Sequence, residues 1–153
     1  MRISVEVTLP CSAARAFSEL DDLEDYPRWT GLVHAATRDS GVDSVSSQPA
    51  VSWTVELRGR IGPFARSKKL RMERVLVDEP SRVRFERRET DGRDHGSWIL
   101  EAVVIDRSTD DHSSCDVRVT LEYGGRLWSG AIEKLLADEI ERSKQRLRDL
   151  VSA

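Results

Sequence analysis

Hydrophobic and polar positions alternate along the first stretch of the chain, with Ile3, Val5, Val7 and Leu9 on one face and Ser4, Glu6 and Thr8 on the other. Pro10 ends the run, so residues 2–9 are predicted as a half-buried strand. The period then changes from that of a strand to that of a helix. Ser12 stands as an N-cap ahead of Ala13, Ala16, Phe17 and Leu20, which share one helical stripe. A second short helix is predicted over Asp21–Trp29, because Asp21, Asp22, Glu24 and Asp25 gather where a helix dipole favours acids, and Pro27 stops the segment.

From Leu32 onward the chain reads as strands over residues 32–39, 50–58, 65–77, 82–89, 96–106 and 114–123. Turn chemistry separates them: Gly59, Gly62 and Pro63, then Asp78-Glu79-Pro80-Ser81, Thr90 to Asp94, and Ser108 to His112. Connections this short imply an antiparallel meander. After Gly124-Gly125 no proline occurs, and Trp128, Ala131, Ile132, Leu135, Leu136, Ile140, Leu147, Leu150 and Val151 recur at three-to-four spacing. One long amphipathic C-terminal helix from Leu127 is predicted. The whole is an α+β layout in a single domain, residues 1–153: a curved antiparallel sheet of about seven strands, two short helices between its first and second strands, and a long helix against the apolar face. A strongly curved sheet and one helix leave space between them, so a cavity is expected.

Strand parity nominates its lining. Trp53 shares a face with Val51, Val55 and Leu57, and Leu70 and Met72 follow on the next strand. Phe85 goes with Val83, Trp98 with Leu100 and Ala102, and Tyr123 with Val117, Val119 and Leu121. The helix adds Trp128, Ile132 and Leu135. Ordinary core packing accounts for any one of these side chains taken alone. The indole N–H of Trp and the hydroxyl of Tyr also offer polar handles that orient an apolar ligand. Trp29 is read as structural, closing the end where the short helices meet the sheet. Arg87 falls in phase with Val83 and Phe85, so its guanidinium faces inward unless the strand has already ended there; a buried arginine needs a carboxylate or a ligand anion.

Composition removes whole classes of function. In a chain of 153 residues, 39% hydrophobic and 33% charged with a net charge of −3, neither a disordered tail nor a globally basic nucleic-acid binder fits. The longest apolar runs, such as Ala102 to Ile105, fall far short of the roughly 20 residues of a membrane span. Charges interrupt the first residues where a signal peptide would be apolar, so a cytosolic location is expected, with Cys11 and Cys115 as free thiols. Within this acidic chain residues 58–74 are locally basic, carrying Arg58, Arg60, Arg66, Lys68, Lys69, Arg71 and Arg74 against Glu73 alone. Such a hairpin suits an anionic surface, RNA or an acidic partner, and equally a plain solvated strand face. His34, His95 and His112 stand singly, no phosphate-binding glycine loop or metal-ligand spacing occurs, and neither metal nor cofactor is expected.

The strand ending Leu9-Pro10, the stretch Ser12 to Phe17, the segment Asp21 to Trp29 with its Tyr26-Pro27-Arg28-Trp29, and Gly96-Ser97-Trp98 together resemble the START-like superfamily with the helix-grip fold, within it the polyketide cyclase/dehydrase and coenzyme-Q-binding group. The resemblance covers nearly the whole chain. It implies a cavity between sheet and C-terminal helix holding a small hydrophobic molecule, lipid-like, quinone or aromatic polyketide-type, in a carrier or sensor. The same family also contains cyclases, which would use Arg87 or Tyr123 on an enolate, and ribosome-associated toxins, for which the basic hairpin would be the contact surface.

Overall fold

The structure is a computed structural model that describes residues 2–40, 50–61, 64–124 and 130–152, with side chains from all of these except 59–61, 64–66 and 130–136. Seven strands, β1 (Arg2–Leu9), β2 (Val33–Arg38), β3 (Ser52–Ile61), β4 (Phe64–Asp78), β5 (Arg82–Arg87), β6 (Trp98–Asp106) and β7 (Cys115–Tyr123), form one antiparallel sheet. Its order, β1-β7-β6-β5-β4-β3-β2, is a meander from β2 to β7 with the first strand paired onto the last. Helix α1 (Ala13–Ser18) and a 3-10 turn (Leu23–Arg28) bridge β1 and β2, and α2 (Gly130–Ser152) ends the chain. The alternation in β1 runs in register with that of β7, from Arg2 opposite Glu122 to Leu9 opposite Cys115, so both apolar rows face α2.

Two predicted elements change character. The second short helix is 3-10 rather than α: Asp22 caps it by accepting from the Glu24 N–H at 2.9 Å, and Leu23 and Tyr26, three residues apart, are both buried. In a 3-10 helix residues three apart eclipse one another, so these two side chains point the same way. Gly59 was expected in a turn, yet it pairs with Arg66 in the β3–β4 ladder. Glycine weakens a strand without ending its backbone hydrogen bonds. Gly62, Pro63 and residues 127–129 lie outside the described residues.

In β4 a bulge between Arg74 and Leu76 shifts the register against β5. The apolar rows of β3, β4, β5, β6 and β7 meet on the concave side, where Trp53, Val83, Phe85 and Ala102 are fully buried. Cys11 and Cys115 are buried free thiols whose ionisation burial pushes up, for Cys115 to about 12.

Candidate functional site

The concave face has two ends of different character. At one end the 3-10 turn lies over the sheet, and Tyr26, Trp29, Trp53 and Phe85 form a chain of rings. Tyr26 stands 4.8 Å from Trp29 and 6.3 Å from Phe85, and Phe85 meets Trp53 edge-on at 5.4 Å. Their polar atoms are satisfied internally. The Tyr26 hydroxyl donates to Leu20 O at 2.9 Å, Trp29 Nε1 to Glu19 O at 3.3 Å, and Trp53 Nε1 to Asp22 Oδ1 at 3.0 Å. Burial pushes the Tyr26 phenol well above its ordinary range, so it stays neutral. Glu19, its side chain only 5% exposed, is held by Arg15 at 2.7 Å and Arg28 at 3.3 Å. Trp53 and Phe85, nominated as ligand contacts, thus sit within this sealed cluster, with Leu70 and Met72 buried beside them.

The other end lies where β5 stops and β6 begins. Trp98 stacks on Tyr123 from the neighbouring strand with ring centroids 5.2 Å apart and planes 24° from parallel. Trp98, Leu100, Val119 and Leu121 are only half-buried there, whereas Tyr123 is buried. Lys68 Nζ lies 5.6 Å from the centroid of the Trp98 ring. Gly96 permits the close approach of β6 to the end of β7: a Cβ there would lie 2.7 Å from the carbonyl oxygen of Gly124.

Arg87 faces inward, its side chain 7% exposed, and its partner is a carboxylate: Nε donates to Glu89 Oε1 at 2.8 Å. The rest of the fork is engaged as well, with Nη1 reaching Gly96 O at 3.4 Å and Nη2 reaching His95 Nδ1 at 3.3 Å. A guanidinium only donates, so Nδ1 accepts, and the ring proton sits on Nε2, which faces Asp91 Oδ2 at 2.8 Å. This chain of contacts ties the loop after β5 back onto the sheet.

Between β1, β7 and α2 lies a cavity of about 80 Å³, walled by Val5, Val7, Val119, Ile140 and Leu147, with Trp29 at one side and Thr30, Ser143 and Lys144 as its polar members. Of the nominated residues whose side chains are described, only Val119 lines it. Trp29, assigned to structure alone, contributes a wall. The side chains of Ile132 and Leu135, and all of Trp128, fall outside what is described. Ser143, a polar residue inside the apolar helical stripe, was the sequence signal for the cavity's wet side. Its hydroxyl donates to Thr30 Oγ1 at 3.0 Å.

The family model described as polyketide cyclase/dehydrase and lipid transport matches residues 1–152. The chain belongs to that family. Among curated proteins none matches it. Solved structures with the same fold include a START superfamily protein from Mycobacterium smegmatis, at 16% identity and a TM-score of 0.65 over 99% of this chain and 97% of that one. A protein from Deinococcus radiodurans follows at 16% identity and 0.60, with 97% of each chain covered. One from Chromobacterium violaceum stands at 14% and 0.63, covering 99% of this chain and 98% of its own. At such identities the likeness is one of fold, the helix-grip arrangement of curled sheet and terminal helix.

In this member of the cyclase/dehydrase and lipid transport family the basic run divides by strand parity. Arg58 pairs with Glu56 at 3.7 Å, and Arg71 with Glu73 at 3.4 Å and Asp39 at 3.7 Å. Arg74 turns inward instead, donating to Asp21 O at 3.0 Å and lying 5.9 Å from the Trp53 ring. The side chains of Arg60 and Arg66 are outside the described residues. Among the described residues no group of three His, Cys, Asp or Glu side chains is placed to hold a metal, and no helix is long and apolar enough to cross a membrane.

Proposed function

We infer that the protein binds a small hydrophobic molecule, lipid-like or aromatic, between the sheet and the C-terminal helix, with its main contacts at the β6–β7 end, as a carrier or sensor. The observation that carries this reading is the division of the aromatic set. Trp53 and Phe85 are closed within the core, whereas Trp98, Leu100, Val119 and Leu121 keep accessible surface on the same concave face. Half-exposed apolar side chains on a concave surface are what a ligand covers, at roughly 25 cal/mol per Å² of apolar area removed from water. The 80 Å³ cavity alone is too small for this, since an apolar cavity of roughly 150 Å³ is what accommodates benzene. It extends the apolar surface beneath α2, and the ligand's main volume belongs at the Trp98 end.

Binding is favoured over turnover because Arg87, the cation best suited to an enolate, is committed to Glu89, His95 and the Gly96 carbonyl. A cyclase acting in the same cleft would have to break that set. Native mass spectrometry of the protein purified from its own host tests the reading. A co-purifying apolar molecule, lost on denaturation, is expected; a protein that carries no adduct and takes up neither fatty acids nor polycyclic aromatics in titration would overturn it.

A further inference from the structure

Of the three tryptophans whose side chains are described, two give their indole N–H to a protein acceptor, Trp29 to Glu19 O and Trp53 to Asp22. The third does not. Trp98 Nε1 is closed off from solvent and has no acceptor among the described residues. Buried donors are nearly always paired, and leaving one unmatched is costly, so an orphaned indole N–H beside a half-open apolar surface marks a place where the partner comes from elsewhere.

A cation stands beside it. Lys68 lies in β4 in phase with Leu70 and Met72, hence on the concave side, and its Nζ is 5.6 Å from the Trp98 ring centroid. It forms no ion pair among the described residues, while the neighbouring Arg87 is answered by Glu89 at 2.8 Å. A neutral carbonyl would satisfy the indole alone; an anionic oxygen would satisfy it and also be drawn by the nearby Lys68 ammonium. Stacking on Tyr123 fixes the ring plane and therefore the direction in which the N–H points.

We propose that Trp98 and Lys68 form the polar end of the binding site and read an acidic oxygen, a carboxylate or an ionised phenol or enol, on an otherwise apolar ligand. Trp98 Nε1 donates to that oxygen and Lys68 balances its charge. The inference rests on the hydrophobic-binding reading above and adds to it the class of ligand and the residues that select it. Arg87 becomes a positioning residue, holding the loop at 88–97 from which Trp98 enters β6.

Two matched probe pairs test it by isothermal titration at pH 7.5: sodium 2-naphthoate against methyl 2-naphthoate, and dodecanoate against dodecan-1-ol. The acids are expected to bind at least about tenfold more tightly than their neutral partners, the size of one hydrogen bond to a charged group. Trp98→Phe keeps the ring and removes the N–H; Lys68→Met keeps the stem and removes the charge. Each is expected to weaken the acids about tenfold while the neutral probes stay within about twofold. Lys68 is exposed, so its substitution carries the test even if Trp98→Phe disturbs folding. Acids and neutral partners binding alike, or both series weakening together in the variants, would overturn the proposal while leaving hydrophobic binding intact. Binding of neither series would overturn that underlying reading and this inference with it.

Discussion

Trp53 Nε1 donates to Asp22 Oδ1 at 3.0 Å, joining the buried face of β3 to a residue 31 positions earlier that also caps the 3-10 turn. The same carboxylate meets Arg38 at 3.1 Å through its other oxygen. Asp22 thus fixes the lid of the sealed end from three directions. Asp22→Ala removes a cap, worth about 1 kcal/mol, and strands a buried indole N–H, worth about 1–3 kcal/mol. A loss of about 2–4 kcal/mol in urea unfolding is expected, with Asp22→Asn, which keeps the acceptor, costing about half as much. Equal losses for the two variants would show that the acceptor is not what matters.

Arg87 and Glu89 are expected to behave as a coupled pair. With their side chains 7% and 18% exposed, removing one leaves the other's charge poorly solvated. Arg87→Met should cost about 3 kcal/mol, and adding Glu89→Gln should restore a good part of it. The coupling energy of a double-mutant cycle in chemical unfolding is the measurement, and strict additivity would contradict the pairing.

The Gly31 N–H donates to Glu139 Oε1 at 2.8 Å, tying the loop after the 3-10 turn to the middle of α2. Burial, the largest single influence on this carboxyl, raises its pKa, but the Gly31 N–H together with Arg142 and Arg146 holds it below the ordinary carboxylate value. A carboxyl lowered in the folded state stabilises above its unfolded value of about 4.3, and that contribution is lost as pH falls through the folded value. Stability should therefore fall as pH drops below about 5, and Glu139→Gln should flatten that part of the curve. Gly31→Ala would place a Cβ 2.8 Å from the same oxygen, displacing it at a cost of about 1 kcal/mol. Urea midpoints measured from pH 3 to 7 check both variants; an unchanged acid limb in Glu139→Gln would refute the assignment.

Alternation of apolar and polar residues made all seven strands and the concave rows readable, because each strand has one dry face and one wet face. The same rule hid Lys68 and Arg74. Both occupy inward positions of β4, yet a charge run reads as an outward face when hydrophobicity is the only guide. What places them is tertiary: Arg74 finds the Asp21 carbonyl and the Trp53 ring, and Lys68 finds Trp98 beyond the end of β5. The division of the aromatic rings was unreadable for the same reason. Trp53 and Trp98 have similar local patterns, and only the 3-10 turn, arriving from earlier in the chain, closes one and not the other. Arg87 was readable as inward, since its parity follows Phe85 without a bulge. Glu89 shares that inward parity and supplies the carboxylate, whereas His95 was not readable as a partner, because the loop that carries it has no period to read.

The pairing of β1 with β7 has a bearing on how the chain comes to be folded. Ser4 and Thr120 face each other across 116 positions, whereas each step of the meander from β2 to β7 closes a far shorter loop. Local hairpins zip before distant ends meet, so the meander is the part that assembles first and β1 docks onto it late. During synthesis β1 emerges well before β7, the strand it pairs with, exists, and it then has one apolar face and two open edges. A nascent chain stalled ahead of Cys115 therefore holds five sixths of the sheet's meander and no place for its opening strand.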